Sequence, residues 1–244
     1  MRCLTVSWPA PARVRAVFST RLGGVSQGPW ASLNLGGHVG DDPAAVATNR
    51  AAISNSLGLN TEPCWLEQIH SDILLDLDDP TCPRRGDAAI TSTPGRVATV
   101  MVADCLPVLL CDRQGRQVAA VHAGWRGLAF ELIHKTVKTF NASPEELIAW
   151  LGPAIGPTAY GVGDSLRARF VALDARNADA FQQLDQQWHL DLARIAELQL
   201  ITAGVKTISA SDICVHSDAQ NYFSYRRDGE TGRMAAMVWL EDSA

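Results

Sequence analysis

Two apolar runs rich in β-branched and aliphatic residues, Pro107 to Cys111 and Gln117 to His122, flank the polar pentapeptide Asp112-Arg-Gln-Gly-Arg116. That pattern predicts two strands folded back on each other through a tight turn. If the pairing is centred on Gln114 and Gly115, Cys105 falls opposite Gly124. His122, two residues from Gly124, then shares its face, because strand side chains alternate with period 2. A one-residue change in turn type would separate the two. A thiolate and an imidazole are leading zinc ligands, and Asp104, Arg126 and the Gly124-Trp-Arg-Gly127 corner crowd the same end of the hairpin with polar groups.

The chain has 244 residues, 47% hydrophobic and 19% charged, which fits one globular α/β domain spanning 1–244. A net charge of −5 argues against non-specific nucleic-acid binding, which depends on clustered cations, and favours small-molecule partners. No apolar run reaches the roughly 20 residues of a spanning helix, and the first fifteen residues lack a signal-peptide core, so the expected location is the cytoplasm with no membrane partner. Six cysteines without CxxC spacing indicate neither a disulfide framework nor a zinc ribbon. Cys3, Cys64, Cys82, Cys111 and Cys214 read as small apolar residues.

In chain order, Val14 to Ser19 reads as a strand. The glycine-rich stretch from Arg21 to Gly40 could bring backbone N–H groups to an anion, with Arg21 as its cation, or be a surface loop without a ligand; it matches neither the dinucleotide fingerprint nor the P-loop. Asp42 as N-cap, Pro43 and the following residues to Gly58 form a helix. His70 ends an apolar segment, where a lone histidine is more often hydrogen-bonded in a core than a ligand; it matters here as a possible third metal ligand. Asp87 to Thr91 and Val97 to Val102 are strand candidates. Apolar residues at Leu128, Leu132, Ile133, Val137 and Phe140 predict one helix from Leu128 to Phe140, whose start offers N–H groups to an anion. Ser143-Pro-Glu-Glu146 is a capping box, leading into a strand from Ile148 to Leu151. Helices follow over Gly163–Leu173 and Leu190–Ala203, the latter capped by Asp191 if it starts late and stopped by Gly204, with His189 at its entry. Val205–Ser209 and Met234–Leu240 read as strands. Arg226 and Arg227 beside Tyr225 suit phosphate or carboxylate recognition, or form an ordinary solvated turn.

The segments Phe-Ser-Thr-Arg-Leu-Gly-Gly-Val-Ser (18–26), Ser-Leu-Asn-Leu-Gly (32–36), His-Val-Gly-Asp-Asp-Pro (38–43), Trp-Leu-Glu-Gln-Ile-His (65–70), Thr-Val-Met-Val-Ala-Asp-Cys-Leu-Pro (99–107), Val-His-Ala-Gly-Trp-Arg-Gly-Leu (121–128), Trp-Leu-Gly-Pro-Ala-Ile-Gly-Pro (150–157) and Phe-Ser-Tyr-Arg-Arg-Asp (223–228) resemble the bacterial YfiH-type family, formerly labelled polyphenol oxidase or laccase domain. The resemblance implies a single-domain layered α/β sandwich with mixed sheets. It also implies a zinc-dependent purine nucleoside phosphorylase acting on adenosine, inosine, guanosine and methylthioadenosine, with adenosine deaminase activity. His70, Cys105 and His122 would then hold Zn2+, with Cu2+ possible in vitro. Asp104, Cys105, His122 and Arg126 are the candidate catalytic residues; Arg21, Asn34 and Arg226 are those for substrate, a purine nucleoside and phosphate. Similar proteins usually read Phe-Glu-Val-Gly where this chain has Tyr160-Gly161-Val162-Gly163, so a carboxylate is missing. Cys214-Val-His216 also departs from the usual Cys-Thr.

Three rivals remain. Cys105 with His122 as base would make a thiol hydrolase, for which an amide in a cell-wall precursor is the substrate considered. A copper-dependent polyphenol oxidase of the multicopper type fares worse, since such enzymes need about ten ligands, largely paired histidines, and this chain has six His and no HisXHis. The third is a binding protein without turnover.

Overall fold

The computed structural model describes residues 3–242. In chain order its elements are β1 (Cys3–Thr5), β2 (Val14–Ser19), α1 (Pro43–Ser56), β3 (Leu74–Asp76), β4 (Ala88–Thr91), β5 (Ala98–Val102), β6 (Leu106–Asp112), β7 (Val118–Ala123), α2 (Trp125–Ala129), α3 (Leu132–Thr139), β8 (Leu147–Leu151), β9 (Gly161–Val162), α4 (Asp164–Leu173), β10 (Phe181–Leu184), β11 (Gln187–Leu190), α5 (Leu192–Ala203), β12 (Thr207–Ala210), α6 (Tyr225–Asp228) and β13 (Met234–Leu240). Among the described residues no helix is long and apolar enough to cross a membrane.

Two sheets stack face to face. One is antiparallel with order β1-β2-β13-β5; the other is mixed, with order β12-β8-β6-β7-β4-β3. Every residue of β5, β6, β7, β8 and β13 is buried, which is why these strands read as unbroken apolar runs. Alternation still divides their side chains. Leu109, Cys111, Val118 and Ala120 of the mixed sheet meet Val100, Val102, Ala236 and Val238 of the other. Leu106, Val108, Leu110 and Val121 face away, against Leu132 and Ile133 of α3 and Ile195 of α5. Met101 and Met237 face Ile53 of α1 on the far side. The result is four layers, helix–sheet–sheet–helix.

Punctuation residues act as the sequence predicts. Asp42 accepts from Ala44 N at 2.9 Å to start α1, Asp191 caps α5 through Arg194 N, and Gly204 ends it at φ +99°. The capping box at Ser143 is present on a short 3-10 turn. The hairpin register is the one centred on Gln114 and Gly115, with Leu106 opposite Ala123 and Pro107 opposite His122.

Three expectations are corrected. The single helix from Leu128 to Phe140 is two, because Glu131 adopts φ +57° and turns α3 off the axis of α2. Leu128 and the Leu132/Ile133 pair thereby pack on the same core. His189 lies not at the entry of a helix but in β11, its Nδ1 2.9 Å from the Pro157 carbonyl. Asp185 and Gln186, both left-handed, make the two-residue turn between β10 and β11, and without a glycine there the hairpin leaves no turn signature. The strand placed at Val205–Ser209 runs over Thr207–Ala210, parallel to β8.

Candidate active site

At residues 103–105 the chain leaves β5, in one sheet, and enters β6, in the other. The crossing is sharp, and Asp104 adopts φ +96°, a region that costs a non-glycine residue free energy unless its surroundings hold it there. Its carboxylate accepts from Ser224 Oγ and from Arg226 N, each at 2.6 Å, and its carbonyl accepts from Ile155 N at 2.9 Å. Asp104 therefore ties the corner to α6, and with both oxygens engaged it positions Tyr225 and Arg226.

The corner presents Cys105 to His122 of β7. A third donor, His70, comes from the loop before β3. The ligand atoms of His70, Cys105 and His122 lie within 4.8 Å of one another, and the two imidazoles meet edge to face at 4.8 Å between centroids. Opposite Cys105, Gly124 leaves the thiol its space, since a Cβ there would stand 2.9 Å from Sγ and 3.5 Å from His70 Cδ2. Gly124→Ala is expected to lower metal affinity about 10- to 100-fold, in the range of changes that displace ligands without removing them, while the protein stays folded. Competition against a chromogenic chelator reads this directly.

Two side chains place the loop bearing His70. Gln68 pairs with the open edge of β5 as a strand residue would, Nε2 donating to Met101 O at 2.8 Å and Oε1 accepting from Met101 N at 2.7 Å. Asp87, fully buried, accepts from His70 N at 3.0 Å, Ser71 N at 2.6 Å, Ser71 Oγ at 2.7 Å and Ile69 N at 3.2 Å. It also lies 2.9 Å from His122 Nδ1. Burial opposes its charge, but the hydrogen bonds from His122 and Ser71 outweigh it and hold the carboxyl at about 2. An ionised Asp87 fixes the proton on His122 Nδ1 and turns Nε2 towards Cys105. Burial likewise opposes thiolate formation at Cys105, yet His122 and hydrogen bonds from both imidazoles pull the thiol below its ordinary value. Burial opposes the imidazolium of His122 too, and the Cys105 thiolate and Asp87 raise its pKa nonetheless.

The cluster opens into a cleft of about 490 Å³ walled by Trp125, Tyr160 and Tyr225, with His38, Arg126, Arg226 and Arg233 around it. Aromatic faces carry the guanidiniums: Arg126 lies 4.4 Å over Trp125, Arg226 4.9 Å over Tyr160 and Arg233 5.9 Å from the Tyr225 centroid. Burial and the nearby Arg233 lower the pKa of His38, so it meets the cleft as a neutral imidazole.

Of the residues singled out from sequence, His70, Asp104, Cys105, His122, Arg126 and Arg226 come together at this cleft. Arg21 and Asn34 lie outside its lining. Arg21 donates to the Ala31 and Ala219 carbonyls and stacks 4.5 Å over Phe223. Buried Asn34 bonds Gly36, Asp41 and the Arg233 backbone. The glycine-rich loop is thus held by its own polar residues and brings His38 to the cleft. Arg227 is bound to the carbonyls of Val215, His216 and Tyr222, so of the arginine pair Arg226 faces the site. Sequence reasoning missed Asp87, Gln68, Tyr160 and Arg233. The β4–β7 pairing, Ala88 opposite Val121, is the signal that would have placed Asp87 beside His122. At Gly161, where the resemblance expects a carboxylate, the Gln187 amide occupies the space, 2.8 Å from where a Cβ would sit.

Residues 15–241 match the family described as multi-copper polyphenol oxidoreductase laccase. The chain is 46% identical over 240 residues to an Escherichia coli protein named purine nucleoside phosphorylase YfiH, covering 98% of this chain and 99% of that one. It is 46% identical over 241 residues to a Pseudomonas aeruginosa protein also named purine nucleoside phosphorylase, covering 98% of each. A Neisseria meningitidis protein of known crystal structure is similar with a TM-score of 0.94 and 42% identity, over 99% of this chain and all of that one. YlmD of Geobacillus stearothermophilus gives a TM-score of 0.90 at 29% identity, over 99% and 97%.

Proposed function

The chain belongs to the multi-copper polyphenol oxidoreductase laccase family, and from that premise we propose that it is a zinc-dependent purine nucleoside phosphorylase that also deaminates adenosine, acting in the cytoplasm. Adenosine, inosine, guanosine and methylthioadenosine are its substrates with phosphate. The observation that carries this reading is the joining, in one cleft, of a three-donor cluster with aromatic walls and guanidiniums, in a chain whose net charge is −5.

The donor set fits zinc: one thiolate, two imidazoles, a partner fixing one tautomer, and a cleft on the open side. Copper ions also take thiolate and imidazole donors, so Cu2+ can compete in vitro. When bound, the ion supplies a Lewis acid beside the substrate. The remaining work falls to the protein. Trp125, Tyr160 and Tyr225 offer faces to the purine, and Arg126, Arg226 and Arg233 hold phosphate. Phosphate oxygen bonds to the anomeric carbon as the bond to the purine nitrogen breaks, and the proton of hydrogen phosphate ends on that nitrogen, yielding base and ribose 1-phosphate. In deamination, water adds at the amino-bearing ring carbon and ammonia leaves. Asp104 keeps Arg226 and Tyr225 at the cleft mouth through its bonds to α6.

Incubation of the zinc-loaded protein with adenosine and phosphate is expected to give adenine with ribose 1-phosphate, together with inosine. Both products should vanish on chelation and return with zinc. No product from protein of confirmed zinc content would sink this reading.

One observation favours a second reading. Asp87, His122 and Cys105 stand in the order of an orienting acid, a base and a thiol nucleophile, as in a thiol amide hydrolase. That enzyme would keep or gain activity on chelation. Multicopper oxidation has less support, since the described residues form one cluster of three metal donors.

A further inference from the structure

The cleft has a second lobe. Beyond the wall made by Trp125, Tyr160 and Arg226, a hollow of about 430 Å³ continues between Gly161, Val162, Gly163, Ser165, Leu166 and Arg169. The two lobes share Trp125, Tyr160 and Arg226, so a ligand in one touches the residues that bound the other.

The charge of this lobe is one-sided. Its lining holds two guanidiniums, Arg169 and Arg226, and no carboxylate. Among the described residues neither arginine is ion-paired. Arg226 gives one N–H to the Gly161 carbonyl at 3.0 Å and rests on Tyr160, and it lines both lobes. Arg169 lies 5.4 Å from the Phe130 ring centroid. At the centre, Gly161 and the Gln187 amide beside it supply no negative charge where a glutamate at 161 would have neutralised Arg226. Two arginines without ion pairs lining one hollow suit a doubly charged oxyanion, because a guanidinium fork can bind a pair of oxygens.

We propose that this lobe is a subsite for a phosphate-class dianion, gripped by Arg169 and Arg226. Two sources share that chemistry: free orthophosphate, or a phosphate carried on the 5′ carbon of a purine nucleoside whose base occupies the first lobe. The choice of source rests on the nucleoside reading above; the dianion site itself does not.

The test uses the zinc-loaded full chain and three variants, Arg169→Ala, Arg169→Glu and Arg169→Lys. Arg169 is exposed, so the variants fold. Calorimetric titration with orthophosphate, adenosine 5′-monophosphate and adenosine reads each arm. Loss of one charge-assisted contact predicts about tenfold weaker dianion binding in Arg169→Ala, more in Arg169→Glu, substantial rescue in Arg169→Lys, and unchanged adenosine binding. If orthophosphate is weakened, the lobe seats free phosphate and the phosphate is held by Arg169 and Arg226 rather than by Arg126 and Arg233; if only the monophosphate is weakened, the lobe seats a 5′-phosphate. Equal affinities for both dianions across all variants, or an equal loss for adenosine, overturns the proposal, as does a parent protein that binds neither dianion. A protein whose Arg169-dependent dianion binding is intact but which yields no nucleoside products keeps the subsite and loses the phosphorylase reading.

Discussion

Cys105→Ala is expected to abolish nucleoside turnover and to weaken zinc binding by more than a hundredfold, beyond the roughly 10- to 100-fold that changes behind a ligand produce. The thiolate is the one charged donor of the three. Removing it leaves two neutral imidazoles, and two donors are one fewer than the three protein ligands of catalytic zinc sites. The fold should survive, since the lost sulfur sits at the cleft edge, half-buried, and a small truncation there costs about 1 kcal/mol. Metal content by competition with a chromogenic chelator, product chromatography and thermal unfolding separate these effects. A variant that holds zinc as the parent does would remove Cys105 from the ligand set. One that loses zinc but keeps turnover would free the reaction from the metal.

Asp87→Asn should strike both the site and the fold. The carboxylate gathers the backbone of residues 69–71, the Ser71 hydroxyl and His122 Nδ1. An amide of the same shape has one fewer acceptor and places an NH2 against donors. Metal affinity is expected to fall about 10- to 100-fold and stability by about 3 kcal/mol, as for one member of a buried charged network. The effect has a pH signature. The carboxyl sits at about 2, down from the ordinary 3.8, so the native state favours the charged form. Its contribution, about 2 kcal/mol, is complete above the unfolded value and drains away as the pH falls through about 2. Urea titrations between about pH 5 and pH 2 should show a steeper acid loss in the parent than in the variant. Matching slopes would place the stabilisation elsewhere.

The hairpin register was legible because it depends on local pattern. Two apolar runs and one short turn fix Cys105 opposite Gly124 before any long-range contact is known, and the pairing of Leu106 with Ala123 agrees. Helix ends at Asp42, Asp191 and Gly204 were legible for the same reason. His70, 35 residues before Cys105, entered as a third donor the Cys105–His122 pair needed, and family resemblance then named it; no spacing pointed to it. Asp87 was invisible, because its role comes from the antiparallel pairing of β4 with β7, and nothing near residue 87 announces which strand lies alongside. Arg21 misled: an arginine beside glycines suggests an anion site, but its fork is filled by two backbone carbonyls and an aromatic face. Arg233 went unnoticed although it borders the cleft, since its approach depends on Asn34, 199 residues away, accepting from its backbone. Local signals report elements and their ends; the chemistry is assembled by pairings between segments distant in sequence.

Strand β13 lies between β2 and β5, bonded to both, and this placement governs when the molecule becomes competent. On the ribosome β5 emerges well over a hundred residues ahead of β13, a delay of roughly ten seconds at ordinary elongation rates. Until β13 arrives, β2 and β5 have no common partner, the inner face of the mixed sheet lacks its cover, and Asp104 waits for Ser224 to fix the corner that presents Cys105. The nascent chain thus carries an exposed apolar face and a free thiol until its last strand is made, and the two-sheet core closes late. Premature termination anywhere before β13 would yield a sticky, inactive fragment, a natural client for chaperones and proteases.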